Sequence, residues 1–448
     1  MVEPIVTVSG VRGIVGESLT PDIALKYARG FGTLLEGGTV VLGRDTRPSG
    51  PMIQSAALSG LLSTGCNVID LDIVSTPTLQ LAIKHWKAAG GCVITASHNP
   101  VEWNALKFFQ PSGMYLDRNG VAGLNEVVRS GNFSQHQWDQ LGEVLTDDSA
   151  VARHIERVLE HVNVDRIRSR KFHVAVDCVN GAACGITPVL LERLGCKATL
   201  LNAEPTGIFA HPPEPITENL SELCDLVRES NVDIGFAQDA DVDRLAIVAD
   251  GGKPLGEEMT LVLATNHVLG KERGTVVTNL STSTAVDAIA HKYGCVVERA
   301  PVGDANVSEK LRTSAGIIGG EGNGGVIFPK IQHARDAVVG MALMLDFMAT
   351  QDKPMSEIVE QLPQPHIVKR SVRVEGLDIP ELLTAFQKRF PCDRVRDDDG
   401  IRHDWDDHWI HIRASGTEPI LRIIAESSSA DDAAELCDTI ISTLIKVE

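Results

Sequence analysis

The chain has 448 residues with 41 basic and 60 acidic side chains, a formal net charge of −19. At roughly 150 residues per domain that length corresponds to about three domains, and a 43% hydrophobic fraction is ample for several buried cores. The acidic balance excludes a general nucleic-acid or membrane-surface binder, because both partners are polyanions. It also sets a problem: an anionic substrate would need cations focused locally against a repulsive global field.

Other classes fall away quickly. Residues 1–16 carry no basic-then-apolar leader pattern, and no run approaches about 18 apolar residues, so no membrane span and a cytoplasmic location are expected. The nine cysteines (66, 92, 178, 184, 196, 224, 295, 392 and 437) form no CxxC pair, which predicts reduced thiols and neither a disulfide framework nor a zinc site.

In chain order, the first predicted unit is a strand at 39–42, a helix at 52–64 closing on Gly65-Cys66, and a strand at 67–69. A buried-strand pattern at 91–94 then opens into Thr95-Ala96-Ser97-His98-Asn99-Pro100. Ligands of open α/β sheets bind at such carboxyl ends. Ser97, beside His98 and ten residues before Lys107, is therefore a candidate covalent nucleophile or phosphoryl carrier, against the alternative of an ordinary turn.

The unit recurs at 174–176, helix 188–194, Gly195-Cys196 and strand 197–200. Its loop is Asp239-Ala240-Asp241-Val242-Asp243-Arg244, between strands at 233–237 and 245–249. Alternation puts three carboxylates on one side of the loop, a hard-oxygen set suited to Mg²⁺, and three unneutralised carboxylates would repel one another. A solvated acidic turn is the alternative. An EF-hand is excluded, since position six is Arg244 where glycine is needed.

A third copy runs 276–278, 285–293, Gly294-Cys295 and 296–297, and its loop is Gly319-Gly320-Glu321-Gly322-Asn323-Gly324-Gly325. It lacks a Walker lysine, and Glu321 with Asn323 suits sugar hydroxyls, unless the loop is merely flexible. Three copies of strand, helix and strand predict three similar tandem α/β domains with right-handed crossovers. The stripe Ala337, Met341, Met344, Leu345, Met348 has helical spacing and reads as core.

The tail differs. Strands at 371–375, 395–396, 401–404, 409–413 and 421–425, flanked by helices at 379–389 and 430–446, predict a smaller α+β domain with an antiparallel sheet. In it, Arg413-Ala414-Ser415-Gly416-Thr417-Glu418-Pro419 offers a guanidinium fork, hydroxyls and backbone amides to a phosphate, or else a plain turn. Asp397, Asp398, Asp399, Asp404, Asp406 and Asp407 read as solvated turns, and His403, His408 and His411 as satisfied histidines. Linkers are expected near 147–149, at Asp250-Gly251-Gly252 and at 363–365.

These loops, with Ser9-Gly10-Val11-Arg12-Gly13, Gly43-Arg44-Asp45-Thr46-Arg47, Asp177-Cys178-Val179-Asn180-Gly181 and Pro212-Pro213-Glu214-Pro215, make the chain closely similar to the α-D-phosphohexomutase superfamily. The resemblance implies four domains, 1–149, 150–251, 252–366 and 367–448, around a central cleft. It implies that Ser97 is a phosphoserine and that Asp239, Asp241 and Asp243 hold Mg²⁺ together with Ser97. Lys107 and His98 would serve the transferred group, with Lys107 as proton acceptor. Glu321, Asn323 and Gly303 would bind the sugar; Arg413, Ser415, Gly416, Thr417 and Arg422 would hold the idle phosphate; Arg12 and Arg244 would steady the site. Arg12, Arg44, Lys107, Arg244 and Arg413 would then converge with Mg²⁺, answering the charge problem.

The activity implied is interconversion of 6-phospho and 1-phospho sugars through a 1,6-bisphosphate intermediate, by a monomer or homodimer whose partner is a phosphosugar. A remote alternative is a non-catalytic sugar-phosphate-binding protein. Bacterial members usually show Gly-Glu-x-Ser-Gly-His in the sugar loop, where this chain has Asn323 and Gly325. That loop is more like the archaeal-type phosphoglucosamine mutases, so glucosamine 6-phosphate is expected, with phosphomannomutase/phosphoglucomutase activity as the alternative.

Overall fold

The computed structural model describes residues 2–364, 366–373, 378–415 and 420–444. Three of its four sheets are built on one plan. In the first, Gly38–Arg44 pairs in parallel with Cys66–Ile73 on one side and Gly90–Ile94 on the other, and Gly90–Ile94 turns back antiparallel onto Trp103–Phe109. The second repeats this with His173–Asp177, Lys197–Leu201, Ile234–Gln238 and Leu245–Ala249. The third does so with Val276–Asn279, Val297–Ala300, Ile318–Glu321 and Gly325–Ile327. The first sheet grows to seven strands by adding Ile5–Thr7, Gly10–Ile14 and Val144–Thr146 at its edges.

The shared plan follows from the pattern of side chains. Central strands such as Gly90–Ile94, Ile234–Gln238 and Leu245–Ala249 are buried along their whole length, as strands of a sheet covered on both faces must be. Each connecting helix is closed by a left-handed residue: Gly65, Gly195 and Gly294 have φ of +76°, +70° and +68°, a conformation that costs glycine nothing. The second helix starts earlier than expected, at Ala183 rather than 188, because Pro188 lies inside it and does not open it. Asp250-Gly251-Gly252 is a hairpin turn within the second sheet, joining Leu245–Ala249 to Lys253–Pro254.

The fourth sheet is wholly antiparallel, in the order His366–Arg373, Ile420–Ser427, Trp409–Ala414, Ile401–Asp404, Arg394–Arg396. Ile379–Arg389 and Ala430–Leu444 flank it. Its first strand begins five residues before the expected 371, and 374–375 lie outside the described residues. This domain has its own core around Phe386, Ile410, Ile412, Ile423 and Cys437. The second and third domains share one core instead. Helices Glu257–Lys271 and Ala337–Gln351 are buried nearly all round within it, so the methionine stripe is one side of a helix that is apolar on most of its surface, with buried Asp346 paired to His267 and Lys271. All nine cysteines are free thiols.

Candidate active site

In each of the three matching sheets, chemistry sits in the same place: the hairpin between the third and fourth strands of the shared plan. The first hairpin carries Ser97, the second carries 239–244, and the third is 322–324 with Glu321 at its root. Ser97 and Val242 occupy the left-handed region, at φ +51° and +66°. A non-glycine residue there is strained and persists only where its surroundings hold it.

For Ser97 the restraint is visible. Buried Arg47 binds the hairpin by its backbone, Nη2 donating to Ser97 O at 2.8 Å and Asn99 O at 2.7 Å, and Nη1 to Trp103 O at 3.0 Å. Arg47 Nε is itself held by Asp45 Oδ2 at 3.0 Å, which also accepts from Thr95 Oγ1 at 2.7 Å. Thr95 Oγ1 in turn accepts from Ser97 N at 2.9 Å. The serine hydroxyl is thereby aimed across the domain boundary, donating to Asp239 Oδ2 at 2.7 Å.

The three aspartates are buried, and one ligand atom from each can be chosen so that all lie within 4.8 Å of one another. Their partners differ. Asp239 Oδ1 accepts from the backbone N–H groups of Asp243 and Arg244, both at 3.0 Å. Asp241 Oδ2 accepts from Lys107 Nζ and Thr76 Oγ1, both at 2.7 Å, and Asp243 Oδ2 from Arg335 Nη2 at 2.6 Å. Asp241 Oδ1 and Asp243 Oδ1 are buried with no hydrogen-bond partner. Burial, with Asp243 and Asp241 alongside, pushes Asp239 well above the usual carboxylate range. Burial pushes Asp241 the same way, but Lys107 overrides it and draws the group below that range. Two orphaned carboxylate oxygens beside a third buried carboxyl suit a hard divalent cation.

Lys107 is buried, and desolvation would strip its proton; Asp241 at 2.7 Å outweighs that and raises the ammonium above its ordinary value. Lys107 is thus a held cation, suited to neutralising charge. His98 is the converse: burial, then Arg244 and Arg12, push it well below the ordinary histidine value, leaving a neutral imidazole with Nδ1 3.4 Å from Ser97 Oγ.

Glu321 is pinned from four sides. Oε1 accepts from Asn279 Nδ2 at 2.8 Å and Gly303 N at 2.9 Å; Oε2 accepts from Arg335 Nη1 at 2.9 Å and Asn323 Nδ2 at 3.3 Å. The longest of these, to Asn323, is the one most easily exchanged for a hydroxyl. On the fourth domain Arg413 Nε donates to Asp399 Oδ2 at 3.0 Å, and the same oxygen accepts from Val302 N at 3.0 Å. Asp399 is therefore a bridge between the third and fourth domains and not the solvated turn expected. Asp404 likewise pairs with Arg396 and Arg402. His411 is buried and bonded through both ring nitrogens, to Ser281 Oγ at 2.8 Å and Asp399 O at 2.6 Å. His403, by contrast, sits unbonded between Phe386 and Trp405.

These groups surround a cleft of about 870 Å³ lined by all four domains, including Arg12, Ser97, His98, Lys107, Arg244, Gly303, Glu321, Asn323, Arg413 and Arg422. The aspartates lie behind Ser97. Gly416 and Thr417 fall outside the described residues. Arg44 does not reach the cleft: it pairs with Asp72 at 2.6 Å and Gln54 at 2.9 Å. The cations that take its place, Arg335, Lys369 and Arg370, were not anticipated.

Four consecutive family profiles match the chain: phosphoglucomutase/phosphomannomutase alpha/beta/alpha domain I over 4–135, domain II over 152–252, domain III over 256–366 and the C-terminal domain over 371–443. The chain belongs to the phosphoglucomutase/phosphomannomutase family. It is 41% identical to a phosphoglucomutase/phosphomannomutase of Thermococcus kodakarensis, with 97% of each chain covered. It is 37% identical to a probable phosphoglucosamine mutase of Methanopyrus kandleri, over 97% of this chain and 96% of that one. Among solved structures, a phosphoglucomutase/phosphomannomutase family protein from Burkholderia thailandensis superposes with a TM-score of 0.86 at 25% identity, covering 98% and 96% of the two chains.

Membership makes the chain a phosphohexomutase and accounts for the common hairpin position of its chemistry. Two features of this family member escaped sequence reasoning. Arg47 stands in a motif that was noted, but its contacts are to backbone 50 to 56 residues away. Arg335 carries no local motif at all. Only the absence of a side chain at Gly325 hinted that something else fills that space.

Proposed function

We propose that the chain interconverts glucosamine 6-phosphate and glucosamine 1-phosphate through a phosphorylated Ser97 and a 1,6-bisphosphate intermediate. The observation that carries the phosphoryl-transfer part is Ser97 Oγ held 2.7 Å from Asp239 in a cleft that is also lined by Arg413 and Arg422 of the fourth domain. Two separated anion sites are what a retained bisphosphate needs, one at the reacting centre and one for the idle phosphate. The unpartnered oxygens of Asp241 and Asp243 fit Mg²⁺ held with Asp239 and Ser97; bound there, it would neutralise charge on the transferred phosphoryl oxygens.

The chain's own residues supply the rest. Phosphoserine 97 gives its phosphoryl group to a sugar hydroxyl, the P–O bond to Ser97 breaking as the bond to the sugar oxygen forms. Neutral His98 takes the proton released by that hydroxyl and passes it to the departing Ser97 Oγ, 3.4 Å from its Nδ1, which becomes the free serine hydroxyl. Lys107 and Arg244 face the charge that develops on the phosphoryl oxygens. Glu321 and Asn323 bind ring hydroxyls, and Arg413 and Arg422, with Ser415 near them, hold the other phosphate. After the bisphosphate turns end for end, Ser97 takes back the phosphate it did not donate, so no phosphate is released to water.

The sugar assignment rests on Glu321-Gly322-Asn323-Gly324-Gly325 and on relatives at 34–37% identity named probable phosphoglucosamine mutases. A second reading, glucose or mannose phosphates, is favoured by the relative at 41% identity. The test is kcat/KM for glucosamine, glucose, mannose and N-acetylglucosamine 6-phosphates, each primed with its own bisphosphate. Glucosamine 6-phosphate is expected to exceed the others; a preference for an unaminated sugar would replace the first reading with the second.

A further inference from the structure

Arg335 is 8% exposed and lies immediately before the helix Ala337–Gln351, outside every motif that marks the site. Its guanidinium joins two loops with separate tasks. Nη2 is 2.6 Å from Asp243 Oδ2, in the acidic cluster, and Nη1 is 2.9 Å from Glu321 Oε2, in the sugar loop. Nε faces Asp304 Oδ2 at 3.7 Å and makes no hydrogen bond. The planar fork of arginine serves the two carboxylates from two separate nitrogens in a fixed geometry, whereas lysine would have to serve both from one rotatable ammonium.

Space for this arrangement depends on Gly325. A Cβ built there would stand 2.2 Å from Arg335 Cδ, closer than any real carbon contact. The neighbour cannot simply swing aside, because its far end is fixed by two buried carboxylates. The side chain that residue 325 lacks is thus replaced, in the same volume, by one arriving from residue 335.

We propose that Arg335 is a positioning residue that couples the sugar-binding Glu321 to the cation-binding Asp243, and that Gly325 is required to admit it. The proposal rests on the reading of those two carboxylates given above. It makes a prediction of two opposite signs. Arg335 places a positive charge against a carboxylate of the acidic cluster, so removing that charge frees Asp243 Oδ2 and relieves repulsion of an incoming cation. Mg²⁺ should then bind more tightly. Glu321 and Asp243 meanwhile lose their fixed relation, and misplacement on the order of 1 Å costs about a hundredfold in turnover. A variant that was merely less well folded would weaken both.

The experiment uses the full chain with Ser97 in one phosphorylation state. Mg²⁺ binding is measured by titration calorimetry and kcat/KM on glucosamine 6-phosphate, for wild type, Arg335→Met, Arg335→Lys and Gly325→Ala. Met keeps the packed methylenes, so Arg335→Met should retain its fold by circular dichroism while binding Mg²⁺ several-fold more tightly and losing about a hundredfold in kcat/KM. Arg335→Lys should keep Mg²⁺ affinity near that of wild type yet lose kcat/KM, since a single rotatable ammonium does not fix the two carboxylates in the geometry that the two guanidinium nitrogens impose. Gly325→Ala should share the loss in kcat/KM. If wild type binds no Mg²⁺, the reading of the acidic cluster fails and the coupling fails with it. If wild type binds Mg²⁺ but Arg335→Met changes both quantities less than twofold, the coupling alone is wrong.

Discussion

Ser97 and the three aspartates were legible in the sequence because each loop brings its chemistry together within a few consecutive residues. Their supports were not, because those act over long separations. Arg47 meets Ser97, Asn99, Pro100 and Trp103 through carbonyl oxygens, which leave no residue-type signature. The structure makes Arg47 the residue that holds Ser97 in its left-handed conformation. Arg47→Lys keeps the charge but cannot reach four carbonyls and Asp45 together. It is expected to lower kcat at least tenfold with KM for the sugar phosphate little changed, and to lower stability by roughly 3 kcal/mol, since a buried pair loses its geometry. Urea unfolding beside steady-state kinetics checks both parts; unchanged kcat in a folded variant would show that the serine hairpin holds itself.

At the scale of elements, the tandem repeat was readable because helix-closing glycines and β-branched strands recur at similar intervals. What the repeat could not convey is that the three functional hairpins are structurally equivalent, since sheet order is a property of non-local pairing. The bridge between the third and fourth domains was missed for a related reason: Asp399 and His411 look like turn and strand polar residues until Ser281, Val302 and Arg413 arrive beside them. His411 makes this bridge testable by pH. Burial pushes it down to about 4, from an ordinary 6.5, so the folded protein keeps it neutral. Between those values the unfolded chain binds the proton that the folded one refuses. This contribution to stability is therefore complete above pH 6.5 and is lost as pH falls toward 4, amounting to at most about 3 kcal/mol. Wild type should lose stability over that window, measured by urea unfolding, and His411→Gln should lose distinctly less. Parallel curves would mean that His411 is protonated in the folded protein.

For the whole molecule, a chain of net charge −19 binds anions by arrangement more than by total charge. Among the described residues the cleft is lined by eight lysines and arginines and six glutamates and aspartates, so it is nearly balanced and far from uniformly basic. The cations are partitioned: Lys369, Arg370, Arg413 and Arg422 come from the fourth domain, and Arg12, Lys107, Arg244 and Arg335 from the first three. Among the described residues no helix is long and apolar enough to cross a membrane. The second and third domains share a core while the fourth has its own, so the wall that carries its four cations is the most independently built part of the cleft. The proposed function requires Ser97 to carry the phosphoryl between the two positions of the sugar. The direct measurement is ³¹P NMR of glucosamine 6-phosphate incubated with the full chain, Mg²⁺ and a trace of glucosamine 1,6-bisphosphate, run in parallel with Ser97→Ala. Wild type should build up the 1-phosphate signal without inorganic phosphate, carrying one phosphoryl group on Ser97 by mass spectrometry, and Ser97→Ala should show no conversion. Equal conversion by Ser97→Ala, or release of inorganic phosphate as the main product of wild type, would contradict it.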